Sequence, residues 1–435
     1  MRLQEFFNTD FKDYSNSDNV RSIPSLIDGF KDSQRKAVYG MQMHGSSEIR
    51  VSQLGAKSAL LTHYEHGETS LCDTIVGLAQ NFAGSNNVNL FEPIGQFGSI
   101  LTSESGAHRY IYTKPSKWFD LMLRPIDRCI LEHRYEDGDK TEPLYYLPVI
   151  PLWAVNGAIG IGTGHSVKIF PRSLDQVKKA IKHWINGQKP KNSLHPHFNG
   201  WKGKVIVEGD GKYTFQGIIE KVNTTTLRIT ELPITYDVDS FKAKVLVPLL
   251  DAGKIKDFEN NSTEENGFCF DVKVAREIGK KSEAQLITMF KLAKKVTENI
   301  TLWSADNQLE QFPTFVDALY SAVMFRLSKY EESRKKQIAD LSAEVDFLDE
   351  KLKFIKAWNN IEAQALTTAQ IREHMVGSAG LQPDNVDAFL KMPISSITED
   401  RVDSLRKQIM SLEDKVADLN ERTGTNLMEE DLANL

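Results

Sequence analysis

Cysteine is scarce: there are three in 435 residues, Cys72, Cys129 and Cys269. They are far apart, odd in number and without metal spacing. That excludes a disulfide framework or a zinc ribbon and predicts reduced thiols in a cytoplasmic setting. Long apolar runs are also missing, so no stretch reaches the roughly 20 residues of a membrane span. The opening MRLQE starts no signal peptide. An excess of positive charge is lacking too, with 53 Lys and Arg against 59 Asp and Glu, a net charge of −6. This weighs against nucleic acid as a partner only if charge is spread evenly, because a basic face can coexist with acidic regions. Acidic residues are frequent toward the C-terminus, as at Glu429, Glu430 and Asp431.

Hydrophobic residues make up 40% and charged residues 26%, the balance of a globular chain long enough for two or three domains. The stretch NGAIGIGTG at 156–164 imitates a nucleotide loop. Gly157 and Gly162 have P-loop spacing, but Thr163 and Gly164 stand where Lys and Ser or Thr are required. No βαβ unit with a ribose-binding acid follows it. ATP and dinucleotide binding are therefore excluded at this loop. Glycines let backbone approach a ligand closely, and Ile161 among them suits either an apolar wedge or a core contact at a tight turn.

A second glycine-punctuated stretch, GQFGSILTSESGAHRYIYT at 95–113, delivers Arg109 and Tyr110 side by side. An ordinary phenol titrates near about pH 10, so it must lose its proton as it attacks a phosphate. A neighbouring guanidinium can hold the phosphate and the charge that develops on it. On spacing alone, Tyr110 and Tyr112 fit an exposed strand edge as well as they fit chemistry.

Taken in order, 1–20 is polar with an early Phe6-Phe7 pair. Three helical patterns follow, over about 33–44, 52–62 and 69–82, with breaks at Gly45 and Gly67. Short helices with tight breaks predict a helix-turn-helix core. Arg21, Lys31, Arg35, Lys36 and His66 give it donors for phosphate, or a solvated basic surface. Residues 144–155, with Pro148 and Pro151, read as strand and extended segments. The cluster Glu136-Asp137-Gly138-Asp139 reads as a loop. From 204 the chain alternates around Asp210-Gly211, which predicts a hairpin. Glu208 and Asp210 read as its turn residues.

In the last third, Ile338, Leu341, Val345, Leu348, Leu352 and Ile355 recur at steps of three and four. So do Val402, Leu405, Ile409, Leu412, Val416 and Leu419. Both are coiled-coil seams. The segment between, 359–396, carries Gly377, Gly380, Pro383 and Pro393 and predicts a small knob at the far end of two antiparallel helices.

SIPSLIDGFKDSQRKAVYGM, YEHGE, AQNFAGSNNVNLFEPIGQFG, AHRYIYT, EPLYYLPVIP and VNGAIGIGTGHS occur in that order. Together they resemble the DNA breakage-reunion region of type II DNA topoisomerases, in wording nearer the eukaryotic enzymes than the gyrase breakage-reunion chain. A short chain with this pattern also resembles the separate breakage-reunion subunits of T-even bacteriophage topoisomerases. The resemblance is dense over 21–166 and thinner afterwards.

It implies an α+β multidomain fold: a winged-helix DNA-cleavage domain over 1–168, an α/β tower over 169–312, and an antiparallel coiled coil with a dimer gate over 313–435. Tyr110 is then the nucleophile that joins the 5′ end of the broken strand, and Arg109 stabilises the transition state. Arg21, Lys31, Arg35 and His66 line the DNA, and Ile161 inserts between base pairs. Glu65 departs from the family, whose cellular members have a second histidine there. Lys294 and Lys295 are further candidate DNA contacts.

Magnesium and ATP are expected on a partner subunit, since neither an ATP site nor a metal cluster is legible here. The expected assembly is a homodimer with that partner on double-stranded DNA, away from membranes, acting in DNA replication in a bacterial host's cytoplasm. Few residues follow the second seam, so a DNA-wrapping domain is not expected, and relaxation or disentangling is expected rather than negative supercoiling. The alternatives are another tyrosine-dependent strand-breaking enzyme, such as a recombinase, and a non-catalytic DNA-bridging dimer built on the coiled coil.

Overall fold

The computed structural model describes residues 3–188, 194–361, 366–393 and 398–435. The described chain mixes helices with small antiparallel sheets and divides into two compact units, Met1–Arg326 with Asp431–Leu435, and Leu327–Glu430.

The first unit opens with two helices that the polar N-terminus did not announce, α1 (Leu3–Asn8) and α2 (Asp10–Ser22). The three helical patterns then fold as α3 (Asp32–His44), α4 (Val51–Leu61) and α5 (Glu68–Ala79). Ala37, Val38 and Met41 of α3 are fully buried, as are Val51 and Leu54 of α4 and Leu71 and Ile75 of α5. Beside them lies a three-stranded sheet of β1 (Ile49–Arg50), β2 (Phe91–Ile94) and β3 (Tyr112–Pro115), with β3 in the middle.

Two sequence expectations give way here. The acidic cluster is the tip of a hairpin, β4 (His133–Glu136) and β5 (Asp139–Pro143), not an open loop. Asp137 and Gly138 take φ of 51° and 90°, the left-handed pair that a two-residue hairpin turn requires. The stretch read as extended ends in a helix, Leu152–Asn156, because Pro151 precedes its first turn and no Pro or Gly interrupts it before Gly157. A second hairpin follows, β6 (Ala158–Ile161) and β7 (Ser166–Ile169).

The expected hairpin around Asp210-Gly211 is present as strands Lys204–Gly209 and Lys212–Gln216, joined in one sheet by Ala293–Thr297. A four-stranded antiparallel sheet and short helices share a further core, with Phe241, Phe270 and Phe290 fully buried.

The helix Phe315–Asn359 belongs to both units. Its first turns pack in the first unit, where Ala318, Leu319 and Val323 are fully buried. In the second unit Leu341, Val345, Leu348 and Leu352 meet Val402, Leu405, Ile409 and Leu412 of the helix Glu399–Glu421 in one cluster. The two helices run antiparallel, since Arg334 donates to the Leu419 carbonyl and Gln408 to Glu344. Ile355 leaves the seam for a second cluster with Ile371, Met375, Val386 and Phe389 on two short helices. Of the segment expected to form the knob, 362–365 and 394–396 lie outside the described residues.

Candidate active site and nucleic-acid interface

The turn that carries Arg109 and Tyr110 is built where α4 begins. The first amides of a helix lack intrahelical partners. Here Val51 N–H donates to the Ile111 carbonyl at 3.1 Å, and Ser52 N–H to the His108 carbonyl at 3.3 Å. Tyr110 N–H closes the turn on the Ala107 carbonyl at 2.8 Å. Ile111 is buried and anchors the turn, while Tyr110 beside it is 70% exposed. The Arg109 guanidinium carbon lies 4.9 Å from the centroid of the Tyr110 ring. An accessible phenol with a fixed cation against it is the arrangement that attack on a phosphate requires.

Sequence reasoning missed the contacts that fasten this turn. His108 Nε2 lies 3.0 Å from Asp73 Oδ1, on α5. Arg50, opposite Tyr112 in the β1–β3 register, donates from Nε to the Tyr112 hydroxyl at 2.8 Å. Gln80 Nε2 donates to the carbonyls of Phe97 and Ser103 at 2.9 and 3.0 Å, which holds the glycine-bearing loop that leads to the turn. None of these pairs has a signal in local spacing. A cleft of about 660 Å³ opens beside Arg109, with Asp73, Gln80, Ser105 and His108 among its walls.

The candidate DNA contacts separate into distinct settings. Arg21 is exposed in the last turn of α2. Lys31 immediately precedes α3 and is partly buried, and burial pulls its pKa below the ordinary lysine value. An ammonium held partly out of water gains most from an added anion. His66 is exposed in the loop before α5, its ring edge-on to Tyr64 at 5.5 Å, and Glu65 beside it is exposed as well.

Arg35 departs from the expectation. Its side chain is buried and bonds Asp28 through Nε at 2.9 Å and Nη2 at 3.3 Å. Asp28 also accepts from the amides of Phe30 and Tyr146. The guanidinium is thus committed inside the fold rather than presented to a phosphate. Lys36 is similarly buried, 2.9 Å from Glu142.

Ile161 is 82% exposed at the end of β6, so it is not a core residue. Its hairpin rests on α2. Asn19 Nδ2 donates to the Thr163 carbonyl at 3.1 Å, and the Thr163 hydroxyl donates to Asp18 at 2.7 Å. Arg21 and the Ile161 hairpin therefore belong to contacting elements.

Glu208 accepts from the Thr214 hydroxyl at 2.5 Å and pairs with Lys295 at 3.4 Å. The Thr214 bond, then Lys295, hold its carboxyl below the usual range. Lys294 rests 5.5 Å over the Tyr236 ring. Among the described residues no group of three or more His, Cys, Asp or Glu side chains is placed to hold a metal ion. Nor is any helix of the described residues long and apolar enough to cross a membrane.

Comparison with known proteins adds to this geometry. DNA topoisomerase 2-alpha of Gallus gallus is 32% identical over 475 residues, covering 100% of this chain and 30% of the relative. DNA topoisomerase 2 of Drosophila melanogaster is 36% identical over 363 residues, covering 81% of this chain and 25% of the relative. The crystal structure of the Plasmodium falciparum topoisomerase II DNA-binding, cleavage and re-ligation domain is similar with a TM-score of 0.91 at 32% identity, over 99% of this chain and 63% of that one. The chain thus spans less than a third of the length of these two curated relatives. The family model for the breakage-reunion chain of DNA gyrase/topoisomerase IV matches residues 21–433, and the chain belongs to that family.

Proposed function

We propose that this chain is the DNA-cleaving part of a type II topoisomerase. The observation that carries the reading is the exposed Arg109–Tyr110 pair on a turn fastened to α4 and α5, in a chain matched to the family over 21–433. Tyr110 attacks a DNA phosphate. Its oxygen forms a bond to phosphorus as the bond to the 3′ oxygen breaks, and the phenol's proton ends on the released 3′ hydroxyl. The 5′ end is left joined to Tyr110. One phosphoester replaces another, so resealing is the same exchange in reverse and needs no ATP. Arg109 meets the charge that builds on the phosphoryl oxygens.

Arg21, Lys31 and His66 hold the backbone of the duplex, and Ile161 wedges between base pairs to bend it. Two copies cut the two strands, a second duplex passes, and DNA is relaxed or disentangled. On this reading 1–168 is a winged-helix domain, 169–312 a tower, and 313–435 a coiled coil with a dimer gate. The antiparallel seam around Leu348 and Ile409 supports the last of these.

We assign ATP and magnesium to a partner chain, in the manner of the T-even bacteriophage enzymes, and the assembly to the cytoplasm. The described residues of this chain do not fit a magnesium site. The motif wording over 21–166 supports the reading as a separate breakage-reunion chain. The test mixes the purified chain with its candidate partner, supercoiled DNA, ATP and magnesium, quenches with detergent, and maps the residue bound to DNA. A 5′ adduct on Tyr110, with relaxed product when no detergent is added, is the expected result. No adduct, or an adduct elsewhere, overturns it.

A further inference from the structure

Side chains alternate along a strand, and on the β6–β7 hairpin that alternation sorts glycine from isoleucine. Gly160 and Gly162 turn toward α2. A Cβ on Gly160 would stand 2.0 Å from the Ser22 carbonyl oxygen, and one on Gly162 2.2 Å from Asn19 Oδ1. Ile159 and Ile161 therefore face away from α2, and they are 66% and 82% exposed. Their cross-strand neighbours on the same face are Lys168 and Ser166. The Lys168 ammonium rests 5.4 Å over the Phe170 ring, at the base of the hairpin. The wedge reading uses Ile161 and leaves Ile159 with no role, although it presents nearly as much apolar surface.

We infer that Ile159 is a second DNA-contacting residue, seated on sugars and base edges of the minor groove beside the step that Ile161 opens, with Lys168 meeting the phosphates. The inference rests on the reading of Ile161 as a wedge. Two residues of a strand advance about 6.6 Å, and two nucleotides of one DNA strand advance about 6.8 Å along the axis. A hairpin edge laid along the groove thus keeps both isoleucines in step with the stack. Apolar side chains inserted from the minor groove unstack and kink a duplex, and flanking cations hold its backbone. The apolar tip and basic base of this face match that division.

The test titrates the full chain with a duplex labelled at both ends. Affinity and bend, by energy transfer, are read at several salt concentrations, and a melting curve accompanies each variant. Ile159→Ser is expected to weaken binding roughly tenfold, or ~1.4 kcal/mol, with unchanged salt dependence and melting temperature. Lys168→Gln is expected to lower the slope of log affinity against log salt by about 1. Wild-type affinity and bend in Ile159→Ser, with a reduced bend in Ile161→Ala, overturn the inference and leave the wedge standing. An unchanged bend in both variants overturns both. A lowered melting temperature in Ile159→Ser means that the side chain packs on protein, and the inference falls.

Discussion

His108 Nε2 lies 3.0 Å from Asp73 Oδ1, so the residue before Arg109 is tied to α5 rather than to its own loop. The Asp73 side chain is 68% exposed, and a pair so open to solvent contributes at most about 1 kcal/mol to stability. Its consequence lies in position, because the turn it fixes ends in the nucleophile. Asp73→Ala is expected to slow covalent attachment to DNA several-fold while affinity and melting temperature change little. Asp73→Asn keeps an acceptor for the imidazole and recovers part of the rate. Quenched time courses of adduct formation beside equilibrium binding decide it, and a wild-type rate in Asp73→Ala removes the positioning role.

Tyr110→Phe keeps the ring against Arg109 and removes only the nucleophilic oxygen. DNA binding is expected to survive and the detergent-trapped adduct to disappear. Arg109→Lys keeps the charge but loses the planar fork, and cleavage is expected to slow far more than binding weakens. Should Tyr110→Phe still form an adduct, Tyr112 becomes the candidate. Its hydroxyl already accepts from Arg50 at 2.8 Å, which makes it a held group rather than a free one.

The helices α3 to α5 and the seam through Leu348 and Ile409 were legible because their apolar residues recur at helical spacing and their breaks carry glycine. The glycine-isoleucine hairpin was legible as a special backbone, and only the structure settles that Ile161 faces out. Arg35 illustrates what spacing hides. In the sequence it is one more cation in a basic run. Its burial depends on Asp28, whose carboxylate is fixed by amides as distant as Tyr146. His108 with Asp73, and Asn19 with Thr163, are likewise contacts that chain folding creates between segments with no common local pattern. The tip of the β4–β5 hairpin failed for the opposite reason: Asp137-Gly138 is a turn signal, but charge on both sides masked the strands.

Arg35 and Arg21 therefore part company in experiment. Removing one partner of a buried ion pair leaves the other charge uncompensated and costs about 3–5 kcal/mol. Arg35→Ala is expected to lose stability on that scale in denaturant titration, with DNA affinity of the folded fraction retained. Arg21→Ala is expected to stay within about 0.5 kcal/mol in stability, as exposed substitutions do. It should bind DNA more weakly and with a salt slope reduced by about 1. If Arg35→Ala melts like the wild type and binds DNA poorly, the buried pairing is not its function.

The hairpin that carries Ile161 gives an ordered series. Gly160 faces a backbone carbonyl, that of Ser22, which cannot swing aside, so Gly160→Ala must push β6 off α2. Overpacking of this kind costs about 1–3 kcal/mol. Gly162 faces the Asn19 side chain, which can move but only by giving up its bond to the Thr163 carbonyl, so Gly162→Ala should cost less. Ile161→Ala removes exposed surface and should leave stability within about 0.5 kcal/mol. For DNA bending all three are expected to be defective, the glycine variants because the wedge is misplaced and Ile161→Ala because it is gone. Melting curves fix the stability order, and end-to-end energy transfer in a bound duplex reads the bend. A loss of roughly 2–5 kcal/mol in Ile161→Ala, the size of a core truncation, would mean that the isoleucine packs on protein, and the wedge would have to be sought elsewhere.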